Sequence, residues 1–430
     1  MPEVKTLMKL FSKKRNMEGA VLNDSICRKP FRMEYIALPL AVCLVMFVAS
    51  SFCGKWLTSY NSYRSYSLQA CAWLGGRLDL GKDYKWLELA VYNGKYYVSF
   101  PPFPSFVLLP FAAIWGEHTP DHFVSLFFTL LGVIYALKLY YHLRKEHEGA
   151  WLYVLFLFLG NGYLFIAMQG WVWYLAQCMC FALSLMALYY AAVGKGGWSL
   201  AFWGCAVGCR PMVILYLPLL VYLIYCHHKQ RDDQLRFFGL VRKKWYWAVP
   251  VCLIAGVYMW LNFARFGNPL EFGHNYLPEF VKAEKGQFSL SYIPANLSQL
   301  LSLPRTGGSN GALFYEVFGC NNLWLIAPIL FSFGIACTYA IVYHGRRMLF
   351  PLIALPLMLL MHLLVVCSHR TLGGFQFGNR YIVDMLPFVF YGLLLFKPRS
   401  DNFNLMNAVL FMFGFAINLV GTVAVYADWI

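Results

Sequence analysis

Charge is what this sequence has least of. Of its 430 residues, 13% are Asp, Glu, Lys or Arg, against roughly a quarter in soluble globular domains, so a surface facing water on all sides is excluded. Acid is scarcer than base, with 20 Asp plus Glu against 35 Lys plus Arg. The 13 cysteines include no C-x-x-C pair, which argues against a zinc ribbon or a thioredoxin-like redox centre. Most of them fall inside apolar runs, where a thiol is a small apolar side chain. D-x-D and a phosphate-cradling glycine loop are both missing, which disfavours a soluble nucleotide-sugar or ATP enzyme. No repeat or appended soluble domain interrupts the chain.

What is present is apolar length. The residues are 60% hydrophobic and 19% aromatic, and runs such as Tyr35–Cys53, Trp171–Val193 and Asn404–Tyr426 contain no charged residue. About 20 residues cross a bilayer core. The first run follows 34 polar, basic residues and is longer than the apolar region of a cleavable signal peptide. The net charge of +15 is a topology signal, because the bases collect in short gaps. Eight precede Tyr35, six lie in 227–245, and Arg144/Lys145, Lys195, Arg346/Arg347 and Lys397/Arg399 fill further gaps. The positive-inside rule places these gaps in the cytoplasm, and no nucleic-acid partner is expected.

The reading is an all-α, polytopic membrane helix bundle of about eleven spans, near 35–53, 122–142, 150–169, 171–193, 197–209, 211–227, 245–264, 322–343, 347–366, 381–396 and 403–426. Residues 1–34 form a basic cytoplasmic segment, and 35–430 form the membrane domain. Pro101–Gly116 is expected to be an interfacial helix, and 197–227 two short helices meeting at Arg210. The N-terminus is then inside, the C-terminus outside, and the substantial outer loops are 54–120, 265–321 and 367–380.

Chemistry is expected at the outer face. Residues 66–74 read as an amphipathic surface helix ended by Gly75-Gly76. Beyond it lie Asp79, Asp83 and Glu88. Loop acids are commonly only solvated, but one held against an apolar surface can serve as a general base. Trp86, Leu87 and Leu89 favour Glu88. Arg380 and Asp384 are four residues apart and share a face if the segment is α-helical, so they read as an ion pair, or as Arg380 facing an outer phosphate. Arg210 at the apex of a broken helix needs a cavity, an anion or the headgroups. Arg265 and Glu271 flank a Gly-Asn-Pro turn. Lys95, Tyr381 and His369 complete the candidate lining, while His362 reads as isolated. No metal-ligand set is apparent, and a divalent ion stays open.

The Pro101–Pro110 element PPFPSFVLLP, the Arg210-Pro211 helix end, RFGNPLEFG at Arg265–Gly273 and FGNRYIVDMLP at Phe377–Pro387 occur in this order. Together they resemble bacterial C-type superfamily (GT-C) membrane glycosyltransferases, similar to protein O-mannosyltransferases and the lipid A aminoarabinose transferase. The resemblance implies inverting transfer of a sugar from a polyprenyl-phosphate donor to a glycan, lipid or protein acceptor outside the cytoplasm of a bacterium. It also implies a loop carboxylate as base, drawn from Glu88, Asp79 and Asp83. Arg380, Arg210, Arg265, Lys95 and Tyr381 would hold the lipid phosphate, with Asp384, Glu271 and His369 behind them. Residues 54–76 hold no acid, although such enzymes often carry an Asp there. The alternatives are a transporter or flippase of lipid-linked glycan and a catalytically silent membrane scaffold.

Overall fold

The computed structural model describes residues 32–53, 61–144, 149–303, 305–306, 313–314, 322–344 and 349–427. The chain is built of helices. Besides the short helices Pro278–Val281, Ile293–Leu300 and Leu323–Ile326, these are in order α1 (Glu34–Phe52), α2 (Ser65–Leu74), α3 (Phe103–Trp115), α4 (Asp121–Leu143), α5 (Ala150–Leu159), α6 (Tyr163–Ala167) and α7 (Val172–Ala192). There follow α8 (Gly196–Val207), α9 (Leu217–Lys229), α10 (Phe237–Lys244), α11 (Val249–Phe266), α12 (Ile329–His344), α13 (Leu349–Ser368), α14 (Leu386–Phe396) and α15 (Asp401–Tyr426). Each expected span contains a helix. Among the described residues, seven helical segments are long and apolar enough to cross a membrane unaided, and α5 and α12 are shorter apolar helices.

The most enclosed of the long apolar helices is α7, which packs against α4, α8, α9 and α14. It is apolar all round, as a helix with no lipid- or water-facing side must be. In contrast, the segment Phe237–Phe266 buries only 11% of its most apolar stretch within the protein, which leaves lipid to cover the remainder. The helix ends sort into two faces. On the face rich in Lys and Arg, Arg144 donates to the carbonyls of Leu394 and Lys397, and His142 and His227 both bond the Ala192 carbonyl. The opposite face carries the long loops.

Two crossings are broken on that loop face. After α8, Arg210 is extended, at φ −140° and ψ 102°, as a residue before proline prefers, and Pro211–Tyr216 is a 3-10 turn leading into α9. Before α14, Arg380–Met385 is likewise a 3-10 turn, capped by the Asn379 side chain accepting from the Tyr381 N–H. Non-helical backbone at membrane depth is tolerated where protein or an aqueous cavity surrounds it. These two breaks build such a cavity.

The helix expected at 66–74 forms at Ser65–Leu74 and ends at Gly75, but it does not rest on the surface by one face. Ser65 through Ala70 are all buried. Ser105 Oγ of α3 bonds the Tyr66 carbonyl at 3.1 Å and Gln69 Oε1 at 2.8 Å. Gln69 thus makes the side-chain polar contact with α3, while Ser67 Oγ donates to Asp121 of α4. A further element is a hairpin, β1 (Leu89–Tyr92) paired antiparallel with β2 (Lys95–Val98), in which Leu89 faces Val98. Its turn, Asn93-Gly94, has φ of 49° and 71°, the left-handed pair that a two-residue hairpin requires.

Candidate functional site

The hairpin positions Glu88. This residue directly precedes β1, and its carbonyl accepts from Ser99 Oγ just past β2 at 3.3 Å. The β2 end is held in turn by Arg265, whose Nη1 donates to the Val98 carbonyl at 3.1 Å. His274 Nδ1 bonds the Ser99 carbonyl at 2.8 Å. A carbonyl can only accept, so Nδ1 carries the proton and Nε2 is the lone-pair nitrogen of the neutral ring. Glu88 opens onto a cavity of about 370 Å³ between the broken crossings and the 272–288 loop. Burial raises its carboxyl above the ordinary carboxylate range. Arg380 and an indole hydrogen bond from Trp173 oppose that rise, and Glu279 adds to it.

Arg210, Arg380 and Tyr381 line the same cavity. The Tyr381 ring is shared by the two guanidinium groups, 5.0 Å from Arg210 and 5.4 Å from Arg380. Arg380 is 6% exposed and also stands over Trp173 at 5.1 Å and Tyr174 at 5.8 Å. Its Nε and Nη1 have no acceptor among the described residues. A buried guanidinium with unmatched donors is costly, and its planar fork fits phosphate or carboxylate oxygens. Gly373, at φ 103°, lies against it, and a Cβ there would sit 3.2 Å from Arg380 Nε.

Asp384 does not pair with Arg380. Its Oδ2 accepts from Arg210 Nε at 2.8 Å, and its Oδ1 from Gln177 Nε2 at 3.1 Å. Gln177 also donates to the Arg380 carbonyl at 2.8 Å, joining the two breaks through α7. Four residues span more than a full turn of 3-10 helix, so the two side chains point roughly 120° apart. The i, i+4 expectation fails because the segment is not α-helical there.

The remaining lining combines aromatic rings with neutral imidazoles. Burial lowers His274 to about 4, with His369 and Arg210 lowering it further and the Ser99 carbonyl opposing. His369 is lowered chiefly by burial too, and additionally by both arginines. Its Nδ1 bonds the Thr371 carbonyl at 2.7 Å, and Nε2 stands 3.2 Å from Gln287 Nε2. With the imidazoles neutral, the lasting positive charge of the cavity is the arginine pair. Glu279 adds a second carboxyl to the lining, raised by burial against the pull of Arg370.

The other sequence candidates lie outside this lining. Asp79 accepts from the Gly81 N–H and pairs with Lys95 at 3.9 Å on the hairpin side, and Asp83 is exposed on the loop. Arg265 is buried, with Nη2 on Asn262 Oδ1 at 2.8 Å and Nη1 on the hairpin, so its donors face protein. Glu271 accepts from the Gly273 N–H and Asn275, holding its own turn. Sequence reasoning passed over Trp173, His274, Glu279 and Gln177. It also passed over Asp121, a 1%-exposed carboxylate at the start of α4 that accepts from Ser67 at 2.6 Å and Asn61 at 3.3 Å. Among the described residues no group of three or more His, Cys, Asp or Glu is placed to hold a metal ion.

No protein-family model and no curated protein matches this sequence. Solved structures do. ArnT from Cupriavidus metallidurans bound to undecaprenyl phosphate superposes with a TM-score of 0.51 at 15% identity, over 93% of this chain and 78% of that one. The apo state of the same enzyme gives 0.47 at 18% identity, over 86% and 62%. The apo Archaeoglobus fulgidus oligosaccharyltransferase gives 0.47 at 12% identity, over 92% of this chain and 56% of that one. The likeness to undecaprenyl-phosphate-bound ArnT establishes the fold: this chain shares the helical architecture of that structure.

Proposed function

We propose that the chain is a membrane glycosyltransferase that moves a sugar from a polyprenyl-phosphate carrier to an acceptor at the loop face, outside the cytoplasm. One observation carries this reading. A partly desolvated carboxylate, Glu88, and two guanidinium groups, Arg210 and Arg380, share a single aromatic-walled cavity on a fold shared with ArnT.

The chemistry follows from that pairing. Glu88, when ionised, takes the proton of an acceptor hydroxyl as its oxygen attacks the anomeric carbon. The bond from that carbon to the carrier phosphate oxygen breaks, and the electron pair stays on the phosphate. The charge that develops there is matched by donors already in place, the unmatched Nε and Nη1 of Arg380 and the guanidinium of Arg210 held by Asp384, so little reorganisation is needed. Attack opposite the departing phosphate inverts the anomeric centre.

The test is transfer from labelled undecaprenyl-phosphate sugars by purified protein in detergent. Glu88→Gln is expected to lower turnover by about 10²-fold or more with donor binding retained, and Arg380→Ala to weaken donor binding. Full turnover in Glu88→Gln would remove Glu88 as base. Absence of turnover with every donor, together with glycan movement in liposomes, would replace the transferase with a transporter.

A further inference from the structure

Trp173 stands where the two halves of the cavity meet. It is the second residue of α7, fixed by an aromatic cluster in which Tyr63 lies 5.2 Å and Trp171 6.3 Å from its ring. From this rigid seat the indole touches both groups to which the transferase reading gives a role. Its Nε1–H donates to Glu88 Oε2 at 3.2 Å, and its ring face receives the Arg380 guanidinium at 5.1 Å.

We infer that Trp173 is a positioning residue, which fixes the Glu88 carboxylate beside Arg380 and leaves Oε1 free for the acceptor proton. This inference rests on the transferase reading and deepens it. An indole N–H is a donor only, so it bonds the ionised carboxylate more strongly than the neutral carboxyl, whose remaining acceptor oxygen carries no charge. The contact therefore favours the form of Glu88 that can act as base, against the burial that disfavours it. The same ring stacks on Arg380, so a shift of the indole would disturb both groups together.

Other charged and titratable groups face Glu88. Arg380, Tyr381 and Arg210 come from the two broken crossings, Glu279 and His274 from the 272–288 loop, His362 from α13 and His369 from just past its end. Burial lowers His274 to about 4 and lowers His369 too, whereas it raises Glu88. Glu279 is raised by burial as Glu88 is, but its opposing partner is Arg370, not Trp173. It is thus an internal reference within one cavity.

The experiment labels the carboxyls of the purified full chain with dicyclohexylcarbodiimide, which attacks protonated carboxyls, over a pH series, and counts adducts at Glu88 and Glu279 by peptide mass spectrometry. Trp173→Phe removes the N–H and keeps a ring over Arg380, whereas Trp173→Leu removes both. In each variant the Glu88 midpoint should rise by about one pH unit, as expected for losing a hydrogen bond to a charged group, while the Glu279 midpoint stays. A Glu88 midpoint that does not move in either variant overturns the inference. So does an equal movement of both carboxyls, which would mean general loosening. Undecaprenyl phosphate binding by the same preparations separates the two claims. If wild type fails to bind it while the Glu88 shift stands, the transferase reading falls and the contact survives.

Discussion

Replacing Asp384 by Ala should destabilise the protein more than any loop substitution, and the size of the effect follows from the geometry. The Asp384 side chain is 1% exposed and that of Arg210 18%, with Nε and Oδ2 2.8 Å apart. Breaking a buried pair by removing one partner leaves the other charge without compensation, at about 3–5 kcal/mol. Asp384→Ala also leaves Gln177 Nε2 with the Arg380 carbonyl alone. Arg210→Met in the Asp384→Ala background removes the stranded guanidinium, so the double variant should cost less than the two single changes summed. Coupling of about 1–3 kcal/mol is expected for residues in direct contact. Thermal unfolding in detergent of wild type, the two single variants and the double variant measures this, with Asp83→Ala as an exposed carboxylate control. If Asp384→Ala melts with the control, or the two changes simply add, the pair does not hold the breaks together.

Three further outcomes follow. Turnover should fall as pH drops through a midpoint above the ordinary carboxylate range, since burial raises the Glu88 carboxyl and only its ionised form accepts a proton; an acid limb at an ordinary carboxylate position in the rate–pH profile would refute this. Arg265→Ala should lower thermal stability yet leave undecaprenyl phosphate affinity of the folded protein unchanged, whereas Arg380→Ala should lower that affinity about tenfold or more; equal loss of affinity in both would make Arg265 a cavity residue. Gly170→Ala should reduce the yield of folded protein, because a Cβ there would lie 2.4 Å from the backbone of Asp121 and His122, an overlap that costs about 1–3 kcal/mol or more. Normal yield and melting of that variant would show that the loop before α7 packs more loosely on α4.

The bundle was legible because lipid imposes it. A segment that must satisfy its own backbone and meet hydrocarbon needs length without charge, and that property can be read one residue at a time. The Arg210-Pro211 interruption was legible for a local reason too, since the residue before proline avoids the helical region. The hairpin that seats Glu88 carried its own signal, Asn93-Gly94 between Tyr92 and Lys95, but in a loop dense with interfacial aromatics the alternation was not recognised. The burial of α2 could not be read at all, because it depends on α3 arriving alongside it through Ser105 and Gln69.

The site divides along the same line between local and distant causes. Glu88, Arg210 and Arg380 were candidates because each is a charge beside apolar residues or a broken helix, and a lone charge at membrane depth demands an explanation wherever its partner lies. Their partners came from elsewhere in the chain. Asp384 belongs to Arg210, 174 residues away, and Trp173 to Glu88, 85 residues away. The one pairing inferred from spacing, Arg380 with Asp384, assumed an α-helical turn, and the 3-10 geometry of Arg380–Met385 undoes it. That departure matters to the chemistry. An α-helical start to this crossing would let Asp384 neutralise Arg380 and leave Arg210 without its acceptor. The tighter turn instead gives Asp384 to Arg210, and it leaves Nε and Nη1 of Arg380 unmatched beside the cavity. A substitution that relaxed the turn into α-helix would therefore be expected to exchange the free guanidinium, Arg210 for Arg380, and so to weaken undecaprenyl phosphate binding as measured with the labelled lipid, without touching either arginine.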